Sequence, residues 1–258
     1  MEKWLSLWAI GQQGEIADFK RIKEVGFDGV EIWAEHIRAN DYLNYAKECE
    51  LRIGIHLPFH DLNLAAPDDV VKERMLSINK EWIQKIAGAG GEHAVIHGGL
   101  AWSSEERGEA LTRVKDRLRD LNEVARANNV DLLLENLIPD KLNYTHVVAS
   151  NVEEWINLVR ETNVKACLDT GHLAVMNESL KETITRLNKL LGSIHYSDND
   201  GQSDLHLIPG EGENVAADLF VSLKEIDYQG PVIYELNPYK YSLNEILCDF
   251  AKSKHHSS

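Results

Sequence analysis

The segment Leu168-Asp169-Thr170-Gly171-His172 sets a carboxylate at the end of a short apolar run (Ala166, Cys167, Leu168) and an imidazole three residues later. A buried parallel strand reads as such a run, and the C-terminal strand ends of an α/β fold are where ligands bind. The same pattern recurs along the chain. Glu31, His56, His97, Glu135, His195 and Glu235 each lie at or near the end of an apolar run, and Asp204 and His206 form an Asp-x-His pair beyond His195. Acids and imidazoles gathered in one place repel one another or lose hydration unless something pairs with them. Divalent cations neutralise such a set, and mixed carboxylate and imidazole ligands suit Mn²⁺, Co²⁺, Mg²⁺ or Zn²⁺.

Eight apolar runs carry these groups, at residues 4–10, 30–33, 53–57, 94–97, 130–134, 166–168, 193–196 and 232–235. Between them lie stretches with helical spacing, such as Ile16, Phe19, Ile22 and Val25. Gly26 ends that first helix and Asp28-Gly29 turns the chain into the second run. Eight strand–helix units in 258 residues, with no long linker or composition break, predict a single-domain (β/α)8 TIM barrel over residues 1–252. Residues 253–258 read as a disordered polar tail. A doubly wound open sheet is the alternative, but it would place a glycine-rich phosphate loop after the first strand, and Gly11-Gln12-Gln13-Gly14 is a poor match. In a barrel the C-terminal strand ends converge on one site.

Composition narrows the partners. The net charge is −15, from 42 acidic and 27 basic residues, so the surface as a whole repels nucleic acid and anionic membranes. Cys49, Cys167 and Cys248 share no short spacing, which favours a reducing, cytoplasmic setting over a disulfide or zinc framework. No signal-peptide pattern opens the chain and no apolar run approaches membrane-spanning length.

With these residues in view, the chain resembles the xylose-isomerase-like barrel superfamily. The resemblance covers nearly the whole length and is carried by Gly26-Phe27-Asp28-Gly29-Val30-Glu31, His56-Leu57-Pro58-Phe59, Leu134-Glu135-Asn136, Leu168 to His172, Ile194-His195-Tyr196-Ser197-Asp198-Asn199, Asp204-Leu205-His206 and Tyr234-Glu235-Leu236. For the sugar isomerase and epimerase branch it implies one divalent metal (Mn²⁺, Co²⁺ or Mg²⁺) held by Glu135, Asp169, His195 and Glu235. It further implies that Glu135 and Glu235 form the acid/base pair on opposite faces of a sugar whose carbonyl the cation polarises. His97 and His172 would then hydrogen-bond hydroxyls, and Trp8, Trp33 or Trp102 would offer an apolar wall.

The endonuclease IV branch implies instead three Zn²⁺ ions at an abasic-DNA phosphodiester, and its ligand pattern matches at His56, His97, Glu135, Asp169, His172, His195, Asp204, His206 and Glu235. Against that alternative stand the negative charge, the lack of a basic base-intercalating insertion, and an acidic loop at 199–213. The expectation is a metal-dependent isomerase or epimerase of a small sugar, sugar phosphate or polyol, with nucleic acid and membrane disfavoured. Relatives of this kind often pair into homo-oligomers. His56, His97, His172, Asp204 and His206 are assigned to a second metal or to substrate, Glu31 to a structural or ligand-orienting role, and His36, His60, His93 and His146 to the surface or loops.

Overall fold

The computed structural model describes residues 1–255. In chain order the elements are β1 (Glu2–Ser6), α1 (Ile16–Val25), β2 (Gly29–Trp33), α2 (Ala39–Glu48), β3 (Arg52–His56), α3 (Asp69–Gly88), β4 (His93–Ile96), β5 (Leu100–Trp102), α4 (Arg107–Ala127), β6 (Asp131–Glu135), β7 (Thr145–Val147), α5 (Val152–Thr162), β8 (Lys165–Asp169), α6 (Thr170–Val175), α7 (Leu180–Leu187), β9 (Leu191–Tyr196), α8 (Leu219–Glu225), β10 (Pro231–Tyr234) and α9 (Leu243–His255). Eight of the strands close a parallel barrel in the order β1-β10-β9-β8-β6-β4-β3-β2. The fold is therefore a (β/α)8 TIM barrel. The small strands β5 and β7 pair antiparallel outside the barrel, an addition that the eight-run pattern does not contain.

The strands read as continuous apolar runs because both of their faces are covered. β2 and β8 are buried along almost their whole length. The main core lies between barrel and helices, and Val95, Leu133 and Cys167 form a separate small cluster. Helix α5 shows how local sequence fixes an element. The Asn151 side chain accepts the Glu154 N–H at the first turn, Trp155, Ile156 and Val159 face inward, and Asn163 ends the helix in the left-handed conformation. Trp155 Nε1–H donates to the Leu134 carbonyl at 2.8 Å, which ties the helix to β6 one residue below Glu135.

Three boundaries differ from expectation. The first run is split: β1 ends at Ser6 and residues Leu7–Ile10 form a 3-10 turn that brings Trp8 to the barrel mouth. β4 starts at His93, so that residue is a buried strand position and not a surface one. Helix α9 takes in residues 253–255, and 256–258 lie outside the described residues. Among the described residues no helix is long and apolar enough to cross a membrane.

Candidate metal centre and active site

The barrel mouth gathers the strand-end groups. His56 closes β3, Glu135 closes β6 and Asp169 closes β8, His195 is next to last in β9, and His97 and Glu235 stand one residue past β4 and β10. Glu135, Asp169, His195 and Glu235 are all buried and each brings one ligand atom within 4.8 Å of the others. Register helps, since Asp169 and His195 are lateral partners on β8 and β9. The Asn136 side chain clamps the end of β8. Its Oδ1 accepts the Asp169 N–H at 2.7 Å and its Nδ2 donates to the Asp169 carbonyl at 3.1 Å.

Two further groups flank this centre. His56, His97 and Glu135 form one, and His172, Asp204 and His206 the other. His172 reaches the mouth because the Asp169 side chain caps the short helix α6. Asp204 and His206 arrive on the loop after β9. That loop is closed by Asp198, whose carboxylate accepts the backbone N–H groups of Asn199, Gly210, Gly212, Asn214 and Val215 at 2.9–3.2 Å. Asp200 also binds its own loop, accepting from Gln202 and Ser203.

The imidazoles are oriented by their second nitrogens. Nδ1–H of His56 donates to the Leu57 carbonyl at 3.0 Å, that of His172 to the Asn136 carbonyl at 2.8 Å, and that of His206 to the Glu235 carbonyl at 3.2 Å. A carbonyl can only accept, so in each Nδ1 carries a proton, and Nε2 faces a carboxylate. Those partners are Glu135 at 3.2 Å for His56, and Asp204 at 3.3 Å and 3.0 Å for His172 and His206. His97 Nε2 lies 3.1 Å from the same Glu135 oxygen as His56. His195 is built the other way round. Its Nε2 faces Glu31 at 2.9 Å, and its Nδ1 stands 3.1 Å from Glu235 and 3.4 Å from Glu135.

The electrostatics are those of a cluster balanced by protons. Burial alone would raise Glu135, but His195 and His97 outweigh it and hold the carboxyl well below the usual range. Glu235 is lowered in the same way, by His195 and His206 against burial. Burial dominates at Asp169 and pushes it up to about 6. Burial would lower His206 and His172, yet Asp204 beside His206 raises it to about 9, and Asp169 and Asp204 beside His172 raise it well above the ordinary value. His195 is raised as well, its carboxylate neighbours outweighing burial. Cys167 lies under Glu135 and His195, but burial pushes its thiol up to about 12, so it stays neutral.

Two buried polar atoms of the central group of four, Asp169 Oδ2 and His195 Nδ1, lack a hydrogen bond. An orphaned buried polar atom costs about 1–3 kcal/mol, and a divalent cation would satisfy both at once. The donor set of carboxylates plus imidazole fits such an ion.

A cavity of about 580 Å³ opens over the centre, with Glu135, Glu235, His97 and His172 on its floor and Trp8, Trp33 and Tyr239 on its wall. Trp8 and Trp33 stack 5.4 Å apart. Trp102, expected as a wall residue, lies exposed on β5 outside this cavity. Residues not nominated from sequence also shape the site. The Ser6 hydroxyl donates to Glu235 at 3.4 Å while accepting the Trp33 Nε1–H at 3.0 Å. His93 lies buried beneath the site and contacts Glu31, and His36 is buried beside Trp33 and Tyr42. His60 is exposed and pairs with Glu35, and His146 lies on β7 and binds the Glu105 carbonyl. At the opposite barrel end a hollow of about 350 Å³ is lined by charges that pair with each other, Arg52 with Glu2 and Glu92, and Lys165 with Asp131.

Comparison with known proteins agrees with this architecture. A D-tagatose 3-epimerase-like protein of known structure superposes with a TM-score of 0.81 at 24% identity, covering 100% of this chain and 99% of that one. An uncharacterized protein of Methanocaldococcus jannaschii is 26% identical over 92% of this chain and 82% of its own length. The D-psicose 3-epimerase of Ruminiclostridium cellulolyticum is 25% identical over 88% of this chain and 81% of its own length. The model of the xylose isomerase-like TIM barrel family matches residues 19–248, and the chain belongs to that family.

Proposed function

We propose that the protein is a divalent-metal-dependent sugar epimerase or isomerase that moves a proton at the carbon beside a carbonyl. The observation that carries this reading is the central group of four, in which Glu135 and Glu235 line a sugar-sized cavity and stand within 4.8 Å of Asp169 and His195, each with a buried atom that lacks a hydrogen bond. The kinship with D-psicose 3-epimerase supports it. Glu135, Asp169, His195 and Glu235 would hold the ion, most simply Mn²⁺, Co²⁺ or Mg²⁺. When bound, it supplies Lewis acidity toward the carbonyl and its neighbouring hydroxyl.

The chain's own groups do the rest. Glu135 and Glu235 are both held ionised, so each is ready to take a proton. Removal by one and return by the other inverts the carbon, and return by the same group to the next carbon isomerises. Ser6 orients Glu235, and His97 and His172 offer hydrogen bonds to hydroxyls. Trp8 and Trp33 provide an apolar face for the sugar ring. The test is incubation of Mn²⁺-loaded protein with D-psicose or D-fructose in D₂O. Appearance of the epimer with deuterium at the inverted carbon is expected, and its absence across a ketose panel refutes the reading.

One observation favours a second reading. The flanking groups, His56–His97–Glu135 and His172–Asp204–His206, are each compact enough for an ion of their own. Three Zn²⁺ in this arrangement would suit phosphodiester hydrolysis at abasic DNA. The net charge of −15 weighs against a DNA substrate.

A further inference from the structure

Beneath the pocket lies a polar layer that the ligands themselves do not account for. Glu31 is fully buried; its Oε1 faces His195 Nε2 at 2.9 Å and its Oε2 faces His93 Nε2 at 2.9 Å. Each oxygen of this carboxylate faces one imidazole nitrogen, and a carboxylate oxygen only accepts. Both Nε2 atoms therefore carry protons. This is the reverse of His56, His172 and His206, which spend Nδ1–H on backbone carbonyls and turn Nε2 to the carboxylates.

The layer is built by strand register. Glu31 on β2, Gly54 on β3 and His93 on β4 are lateral partners in sequence around the barrel. A Cβ at position 54 would overlap the His93 imidazole, so the missing side chain is what lets His93 reach across one strand to Glu31. Trp4 packs on the His93 ring at 5.2 Å and holds it there.

We propose that Glu31, locked by His93 through the gap at Gly54, is a positioning residue that keeps the His195 proton on Nε2 and turns its Nδ1 lone pair into the metal pocket. The inference rests on the metal site of the proposed function but not on the reaction that site serves. His195 Nδ1 stands 3.1 Å from Glu235 and 3.4 Å from Glu135 without a well-formed hydrogen bond, so it is the nitrogen left to a cation once the proton that balances those carboxylates is shed. A proton on Nδ1 would block that use. An ionised carboxylate in a dry interior stabilises the opposite tautomer and, with both oxygens occupied, cannot rotate away.

Glu31→Gln tests this. The amide keeps the shape of the carboxylate but offers one acceptor oxygen and sets an NH₂ group against the other imidazole, so it cannot hold both protons. Mn²⁺ affinity by isothermal titration calorimetry should fall roughly 10- to 100-fold. Gly54→Ala, which displaces His93, should shift affinity in the same direction by less. Metal-free melting temperatures of the variants separate this from general loosening. Independently of any variant, ¹⁵N-histidine NMR of the Zn²⁺-loaded wild type, with His195 assigned by its loss in His195→Asn, should show Nε2 protonated and Nδ1 metal-bound. Mn²⁺ affinity within about twofold of wild type in a normally folded Glu31→Gln, or a metal-bound Nε2, overturns the proposal. A wild-type protein that binds neither Mn²⁺ nor Zn²⁺ overturns it together with the metal site.

Discussion

Asp169 Oδ1 accepts the backbone N–H of His172 at 2.7 Å, whereas Oδ2 of the same carboxyl is buried with no hydrogen-bond partner. Half of the group caps helix α6 and the other half is free to bind the proposed cation. Burial raises its pKa to about 6 in the metal-free protein. A folded-state pKa above the unfolded value near 3.9 means that the neutral form contributes stability below about pH 4, and that this is lost as pH rises through about 6. The shift corresponds to something on the order of 3 kcal/mol. A cation offsets the loss, because it binds the ionised form. The increase in melting temperature produced by Mn²⁺ should therefore be small near pH 4.5 and grow through about pH 6. His195, raised by its carboxylate neighbours against burial, pushes the same way, since it must shed a proton to ligate. Thermal shift with and without Mn²⁺ across this range checks it, and a pH-independent increment would refute it.

Asp198 has a different task from the acids around it. It gathers five backbone N–H groups from residues 199–215 and so folds the loop that delivers Asp204 and His206. Asp198→Asn turns an NH₂ toward donors that need an acceptor, at a cost of about 2 kcal/mol or more. The apparent melting temperature should fall by roughly 4–8 °C. Proteolysis should appear first inside this loop. A variant as stable as wild type would show that water replaces the carboxylate at no cost.

These two carboxylates also mark how far the residue pattern alone could be read. Asp169 stands out because an acid at the end of a buried strand contradicts its surroundings, and the same anomaly marks Glu135 and Glu235. Asp198 looks no different from Asp200 or Asp204 in the chain, since what sets it apart is a ring of backbone donors that exists only after the loop has closed. His93 follows the polar Glu92 and reads as the start of an exposed segment; only the lateral register of Glu31, Gly54 and His93 shows that it points into the barrel. Ser6 carries no signal at all, because its role depends on β1 lying beside β10 and β2. Periodicity reports which face of an element is buried, and barrel closure decides which residues meet.

The flanking groups decide between the two readings of the site. For a sugar epimerase, purified protein should hold about one tightly bound ion per chain, at the four-residue centre. Asp204→Asn should keep that ion and raise KM about tenfold, the value of one hydrogen bond to a hydroxyl. His56→Asn should likewise keep it. Elemental analysis reads the outcome directly. About three Zn²⁺ per chain, with one lost in Asp204→Asn and cleavage of abasic DNA by the wild type, would transfer the site to phosphodiester chemistry.

Glu135 and Glu235 can be told apart by isotope exchange. If the two carboxylates serve opposite faces of one carbon, each variant loses proton transfer on one face and keeps it on the other. Glu235→Gln and Glu135→Gln should each slow epimerisation by roughly 10³-fold. In D₂O each variant should still wash deuterium into the epimer whose proton faces the surviving glutamate, and not into the other. The two variants should label opposite epimers. Both glutamates also belong to the four-residue centre, so the measurement is made at saturating Mn²⁺, where occupancy no longer limits the rate. Equal labelling of both epimers in either variant would mean that a single base, reaching both faces, does the work that is divided here between two.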